Sequence, residues 1–390
     1  MEQIINCGLL IDGTLNEPRE KCSVILREGT IVDIKPTFSH SKSSSLLNWE
    51  NYVVIPGLFE CHDHPTEDFG AGYTDEEERM VTGTLRGVRN CLDILKSGIN
   101  TVRDCGAMYA INLKIKNAIN TGLIQGPDII APGNRISRTG YPKWEKCREA
   151  DGCSAVLQAV RQEQKRGADF IKLMVTGIGG NGPCQPEYSP TEIETAVAEA
   201  HRLGLKIGVH AHGGPAADTS INSGVDNIEH GTYLSDSNLE AMSRKNISLV
   251  VTIPAPLHNS KNKIFPSLSD SGFRDFFGKP YADTVKALQR AKAAKILFSV
   301  GGDINHGDPG SYMKALIDSG LTPQEALTVL TRESAKICGL EDIKGTIEIG
   351  KQADLVALAG NPLENTEMIR HVKGVMKRGC LLESIPNFAN

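Results

Sequence analysis

From about residue 80 to about residue 340, short apolar segments alternate with amphipathic helical ones, and this alternation constrains the fold more than any other feature of the chain. Strand-like runs fall at 53–61, 100–103, 129–131, 170–175, 206–210, 227–230, 248–252 and 297–301. Helical patterns lie between them at 76–96, 156–166, 191–203, 239–244 and 282–293. A strand that feeds a helix and then another strand specifies a parallel sheet. Eight such units over this length fit a (β/α)8 TIM barrel, which takes about 250 residues. A doubly wound open sheet is the competing arrangement. It calls for a glycine-rich phosphate turn after the first strand, and none stands there.

The two ends have a different texture. Residues 1–52 carry short alternating segments at 3–11, 22–27 and 30–35, separated by turns at Asp12-Gly13 and Glu28-Gly29. Residues 345–390 repeat that texture, with Gly350-Lys351-Gln352-Ala353-Asp354 preceding an apolar run. These are β signals. The expected plan is an α/β chain with two domains: a small β-sandwich built from 1–55 together with 345–390, and a barrel over 56–344. The serine-rich stretch 39–48 reads as an exposed loop.

With 40% hydrophobic and 23% charged residues, the composition is that of a soluble globular protein. The formal net charge is -5 with no block of lysine or arginine, which argues against nucleic acid or an anionic membrane as partner. No apolar run reaches bilayer length. Ten cysteines are scattered without a CxxC spacing, and Met1-Glu2-Gln3-Ile4-Ile5 has no basic leader region. The expectation is a cytoplasmic protein with free thiols.

In a parallel barrel the C-terminal ends of all strands converge on one face, and catalytic side chains collect there. His62-Asp63-His64 closes the first strand, and two histidines at i and i+2 on a strand point to one side. Imidazole is the commonest ligand for divalent transition metals, although an alternating surface pair would look the same. His210 and His212 close the fifth strand, His230 the sixth and Asp303 the eighth, while Lys172 lies in the fourth. Five of the ten histidines thus fall at strand mouths. Chance would have scattered them.

The joint pattern resembles the amidohydrolase superfamily, in its imidazolonepropionase-related branch with prolidase-like and other dipeptidases. Carrying it are Pro56-Gly57-Leu58 ahead of the histidine pair, Thr101-Val102-Arg103-Asp104, Gly167-Ala168-Asp169-Phe170-Ile171-Lys172 and Ile228-Glu229-His230-Gly231-Thr232. The likeness continues through Leu321-Thr322-Pro323-Gln324-Glu325-Ala326-Leu327 and Gly345-Thr346-Ile347-Glu348-Ile349-Gly350. It implies a metal-dependent hydrolase barrel with a terminal β-sandwich.

The resemblance also implies a ligand set. One divalent ion would be held by His62, His64 and Asp303, and a second by His210 and His230. A lysine ammonium has no lone pair to offer a metal. The family's lysine at this place is carboxylated, so Lys172 as a carbamate would bridge the two ions, zinc being the expected metal. An ordinary or substrate-binding lysine is the plainer reading. Gly213 stands where single-metal deaminases carry an acid, which favours the binuclear branch. His212 reads as a substrate contact or a supporting residue. Tyr233 and His306, on loops at the mouth, and Tyr141, after the third strand, are further candidate substrate contacts. Dipeptide-cleaving relatives carry a histidine in the glycine-rich turn after that strand, where this chain has Arg138-Thr139-Gly140-Tyr141-Pro142-Lys143. That departure leaves the contact to a substrate carboxylate with Tyr141, Arg138 or Lys143.

The implied activity is hydrolysis of an amide bond in a small dipeptide or N-acyl amino acid. A hydroxide held by two ions would attack the carbonyl, with Asp303 carrying the proton to the leaving amine. Cyclic amides, lactones and organophosphate esters remain alternative substrates for the same metals, and a silent scaffold is the reading from another class. Homo-oligomerisation is common in such proteins, but no segment establishes it. The glycines of 177–182 lack the lysine and hydroxyl of a phosphate loop and read as a loop beside the site.

Overall fold

A computed structural model describes residues 2–39, 45–67, 75–141, 147–177, 182–254 and 281–382. In chain order its strands are β1 (Glu2–Leu10), β2 (Arg19–Arg27), β3 (Thr30–Lys35), β4 (Ser45–Pro56), β5 (Leu58–Asp63), β6 (Ile99–Asp104), β7 (Asp128–Ile130), β8 (Arg135–Ser137) and β9 (Cys147–Glu149). They continue with β10 (Phe170–Met174), β11 (Lys206–Ala211), β12 (Asn227–His230), β13 (Ser248–Thr252), β14 (Phe298–Gly301), β15 (Leu355–Leu358), β16 (Val372–Lys377) and β17 (Cys380–Leu381).

Among the described residues eight parallel strands form the barrel. β5, β6 and β7 pair in one sheet, and β10 through β14 pair in sequence in another. Two contacts join these sheets. The Asp169 N–H donates to the Ala131 carbonyl at 2.8 Å beside β7 and β10. On the other side a parallel bridge links Asp63, the last residue of β5, to Asp303 just past β14. Each strand corresponds to one of the eight runs expected from the sequence. Helices such as Glu76–Lys96, Gly152–Arg166, Pro190–Arg202 and Tyr281–Ala293 occupy the expected intervals. The first is started by Asp75, which accepts from the Glu78 N–H, and by three glutamates in its first turn, where the helix dipole favours negative charge.

The core is made of β-branched and leucine side chains on the strands. Ile171, Leu173, Ile207, Val209, Ile228, Val251 and Val300 are all buried, and each contributes roughly 1.5–3 kcal/mol by leaving water.

The β unit expected from the two termini takes the form of one seven-stranded sheet, ordered β17-β16-β15-β4-β1-β2-β3. Ile5, Leu10, Val24 and Leu26 from the start of the chain pack with Leu355, Ala357 and Met376 from its end. Two sequence expectations are corrected here. The run 53–61 is not one barrel strand: it breaks at Gly57, so that Val53–Pro56 belongs to β4 of the terminal sheet and only Leu58 onward enters the barrel. Glycine suits the crossing, because a Cβ on Gly57 would stand 2.6 Å from the Asn100 side chain. Asn100 in turn donates to the Met376 carbonyl at 2.7 Å and ties the barrel to the terminal sheet. The stretch 39–48 is not wholly a loop either, since from Ser45 onward it pairs with β1. Ser45 lies opposite Gln3 and Leu46 opposite Ile4 in that parallel ladder. Residues 40–44 lie outside the described residues, as do 178–181 of the glycine cluster and Pro142, Lys143 and Trp144. Among the described residues no helix is long and apolar enough to cross a membrane.

Candidate metal centre

The side chains singled out in the sequence meet at the C-terminal mouth of the barrel. His62, His64 and Asp303 form one group able to hold a metal ion, and His210, His212 and His230 form another. Asp303 Oδ1 lies 3.5 Å from His64 Nε2 and 3.8 Å from His62 Nε2. The His230 ring connects the groups, with centroids 4.4 Å from His210, 4.8 Å from His62 and 4.9 Å from His212. All five histidines are buried.

Backbone geometry decides two of these placements. Glu229 faces the barrel interior, where it reaches His62, so strict alternation would turn His230 away. His230 instead has φ +73°, a left-handed conformation that returns its ring to the centre. Asp303 has φ +60° just beyond β14. Such backbone costs of order 1–3 kcal/mol and persists only where its surroundings hold it. Here the Asp303 N–H donates to the His62 carbonyl at 2.7 Å, and the His64 N–H donates to the Asp303 carbonyl at 3.2 Å.

Four of the five rings, those of His62, His64, His212 and His230, are also oriented through Nδ1. His62 Nδ1 lies 2.7 Å from Glu229 Oε2, His64 Nδ1 2.9 Å from the Gly106 carbonyl, and His230 Nδ1 2.9 Å from Thr252 Oγ1. The same nitrogen of His212 is 3.3 Å from Thr232 Oγ1. Anchoring Nδ1 in this way fixes the ring and turns Nε2 toward the centre, as partners of metal-ligating histidines do. Burial, reinforced by neighbouring cations (Lys172 for His62, Arg135 for His64), lowers the pKa of both rings, that of His64 to about 3. They are held neutral, the form that ligates.

Lys172 is the most unusual group. Its Nζ is fully buried and has no hydrogen-bond partner among the described residues. Burial pushes its ammonium below the ordinary lysine range, and it is close enough to His62 and Asp303 to act on them electrostatically. A buried amine left without a partner is costly in its charged form.

The remaining candidates sit as follows. Tyr233 is exposed on the loop after β12, its N–H donating to the His212 carbonyl at 2.7 Å and its ring centroid 6.3 Å from that of His212. His306 Nδ1 is 2.6 Å from Asp63 Oδ1, which also accepts from the His64 N–H, so Asp63 joins the His306 loop to the end of β5. Tyr141 is only 1% exposed and its hydroxyl donates to the Thr176 carbonyl at 3.2 Å, so it is packed in the wall rather than open at the mouth. Arg138 pairs with the buried Glu187.

Sequence reasoning missed the buried acids behind the site. Glu229 accepts from Arg103 Nη1 at 2.5 Å as well as facing His62; although burial raises its pKa, Arg103, Lys172 and His62 hold it well below the usual carboxylate range. Glu67 pairs with Arg135, whose Nη1 is 3.4 Å from His64 Nε2. Glu60 accepts from the His62 N–H at 3.0 Å and from the Gly302 N–H at 3.1 Å. A glutamate inside a barrel strand, where a charged side chain is rarely buried without a partner, was the available signal in both Glu60 and Glu229.

A barrel with paired histidines at one mouth and an isolated buried lysine beneath them defines a class of hydrolases. The chain belongs to the amidohydrolase family, whose pattern matches residues 53–382. Ochratoxinase of Aspergillus niger is 28% identical over 416 residues, covering 95% of this chain and 84% of that protein. Imidazolonepropionase of Pseudomonas aeruginosa is 23% identical over 345 residues, covering 78% of each chain. A crystal structure of a Xaa-Pro dipeptidase with bound methionine in the active site superposes with a TM-score of 0.85 at 26% identity, over 98% of this chain and 100% of that one. The protein is accordingly a hydrolase acting on carbon–nitrogen bonds.

Proposed function

We propose that the protein is a binuclear metal-dependent amidohydrolase that cleaves the peptide-like bond of a dipeptide or N-acyl amino acid in the cytoplasm. One observation carries the reading: a fully buried Lys172 Nζ with no hydrogen-bond partner among the described residues, beside two clusters of metal-capable side chains. Its lowered pKa favours the neutral amine, which is the form that adds to CO2, forming the N–C bond of a carbamate and releasing one proton. The carbamate would present two oxygens where an ammonium presents none. The donor set therefore fits two divalent ions, such as zinc. His62, His64 and Asp303 would hold one, His210 and His230 the other, and Lys172 would serve both. The grouping of His212 with His210 and His230 favours His212 as an additional donor on that side.

When bound, paired divalent ions supply Lewis acidity that acidifies water and polarises a carbonyl. The chain's own residues supply the rest. Asp303, still 29% exposed in its side chain, faces the mouth while Oδ1 reaches His64 and His62. It is placed to accept a proton from water and deliver it to the departing amine nitrogen. Tyr233 and His306 would meet the substrate, with Asp63 orienting His306. Buried Tyr141 shapes the wall.

The test is metal stoichiometry by mass spectrometry on protein prepared with bicarbonate, together with Lys172→Ala, and turnover of a panel of Xaa-Pro dipeptides and N-acyl amino acids. About two metals per chain, falling to one or none in the variant, is the expected result. A single metal per chain that is indifferent to Lys172 would remove the binuclear mechanism and bring cyclic-amide hydrolysis forward.

A further inference from the structure

Behind the mouth, a carboxylate that belongs to neither candidate ligand group bonds to the backbone of one of their members. Glu60 is fully buried on β5. Its Oε1 accepts from the His62 N–H at 3.0 Å and from the Gly302 N–H at 3.1 Å, so one oxygen holds the backbones of the first and eighth barrel strands together. Its Oε2 lies 3.1 Å from the same Gly302 nitrogen and accepts from the Tyr312 hydroxyl. Tyr312 is itself fully buried on helix Pro309–Asp318, and its hydroxyl oxygen stands 3.0 Å from the Asn305 carbonyl. The Gly302 carbonyl in turn receives the N–H groups of Ile304 at 2.7 Å and Asn305 at 3.0 Å.

These contacts enclose a three-residue turn whose centre is the strained Asp303, φ +60°. The space is closed as well as bonded. A Cβ on Gly301 would meet Glu60 Oε1 and the His62 nitrogen at 2.5 Å each, and one on Gly302 would meet the Tyr312 hydroxyl at 2.4 Å. Carboxylate, tyrosine and two glycines leave the turn one position.

We propose that Glu60, supported by Tyr312, is a positioning residue of the active site: it fastens β5 to the turn after β14 and so sets where the Asp303 carboxylate stands against His62 and His64. This rests on the reading of Asp303 as ligand and proton carrier given above. The device acts on the backbone on both sides of Asp303, so its loss displaces the carboxylate without removing it. Misplacement by about 1 Å at a reacting group costs on the order of a hundredfold in rate.

The hydrogen-bond pattern makes glutamine a conservative replacement. A carboxamide oxygen at Oε1 can still accept from both backbone N–H groups, and its NH2 donates to the tyrosine oxygen as that hydroxyl turns to the Asn305 carbonyl, the one loss being the second acceptor beside the Gly302 N–H. The experiment compares wild type, Glu60→Gln, Glu60→Leu and Tyr312→Phe, each loaded with cobalt(II). It reads the visible cobalt spectrum, the melting temperature, and kcat and KM on the best dipeptide of the panel. Glu60→Gln is expected to keep the wild-type spectrum and to stay within about threefold of its kcat. Tyr312→Phe is expected to lose about tenfold in kcat with KM changed by less than about twofold, and Glu60→Leu about a hundredfold, both with an altered spectrum. A wild-type spectrum and kcat in Tyr312→Phe overturn the proposal, even if Glu60→Leu fails to fold, and so does a Glu60→Gln that loses as much as Glu60→Leu. A wild type that takes up no cobalt overturns the metal reading itself, and the positioning role with it. Wild-type cobalt binding with unaltered variants removes the positioning role alone.

Discussion

Replacing Asp128 by asparagine removes one negative charge from the junction between barrel and terminal sheet, and the structure sets the size of the effect. Asp128 opens β7. Its carboxylate meets Lys344 Nζ at 2.5 Å, Lys377 Nζ at 2.9 Å and Arg378 Nη2 at 2.8 Å. Lys344 is 3% exposed and also pairs with the buried Asp354, so the cluster ties β7 to the chain leading into β15 and to β16. Burial alone would raise the Asp128 pKa, but Lys344 and Lys377 overcome it and hold the group at about 2, against an ordinary 3.8. A folded-state value below the unfolded one contributes stability that is present above the unfolded pKa and lost as pH falls through the folded one. The difference amounts to about 2.5 kcal/mol at pH 7 and about half of that at pH 3. The assay is urea unfolding followed by tryptophan fluorescence, with Trp49 buried in the terminal sheet as one reporter. Midpoints and slopes at pH 7, 4 and 3 give the gap between wild type and Asp128→Asn. We expect that gap to be about 2–3 kcal/mol at pH 7 and to narrow steadily below pH 4. A gap under about 0.5 kcal/mol at neutral pH, the range of an exposed pair, or one that stays constant on acidification, refutes the reasoning.

Two further predictions concern the centre itself. Glu229→Gln removes the charge that orients His62 through Nδ1, and zinc affinity measured by titrating metal-free protein should fall about 10–100-fold; an unchanged affinity would show that Glu229 serves Arg103 only. Gly301→Ala places a methyl 2.5 Å from Glu60 and the His62 backbone, and should lower stability by about 1–3 kcal/mol through forced separation of β5 from β14. A melting temperature equal to wild type would mean that the two strands yield without cost.

Much of the barrel was legible because its signals are local. A strand announces itself within five residues and a helix within three turns, so Asn227–His230 and Ser248–Thr252 were readable to the residue. The crossing at Gly57 was not. Val53–Ile55 and Leu58-Phe59 are equally apolar, and only their distant partners, β15 for the first and β6 for the second, assign them to different sheets.

The candidate site divides in the same way. The sequence by itself determined which residue types stand at the strand mouths, because alternation makes His62 with His64 and His210 with His212 share a side. Only the tertiary structure decided how those side chains are held. His62 is oriented by Glu229, 167 residues away, and Glu60 fastens to Gly302 across 242. The left-handed backbone that swings His230 inward breaks the alternation of its strand and persists only where the surrounding structure holds it. Periodicity is a property of neighbours along the chain. A buried carboxylate acquires its partners, and therefore its role, only when distant strands close into a barrel.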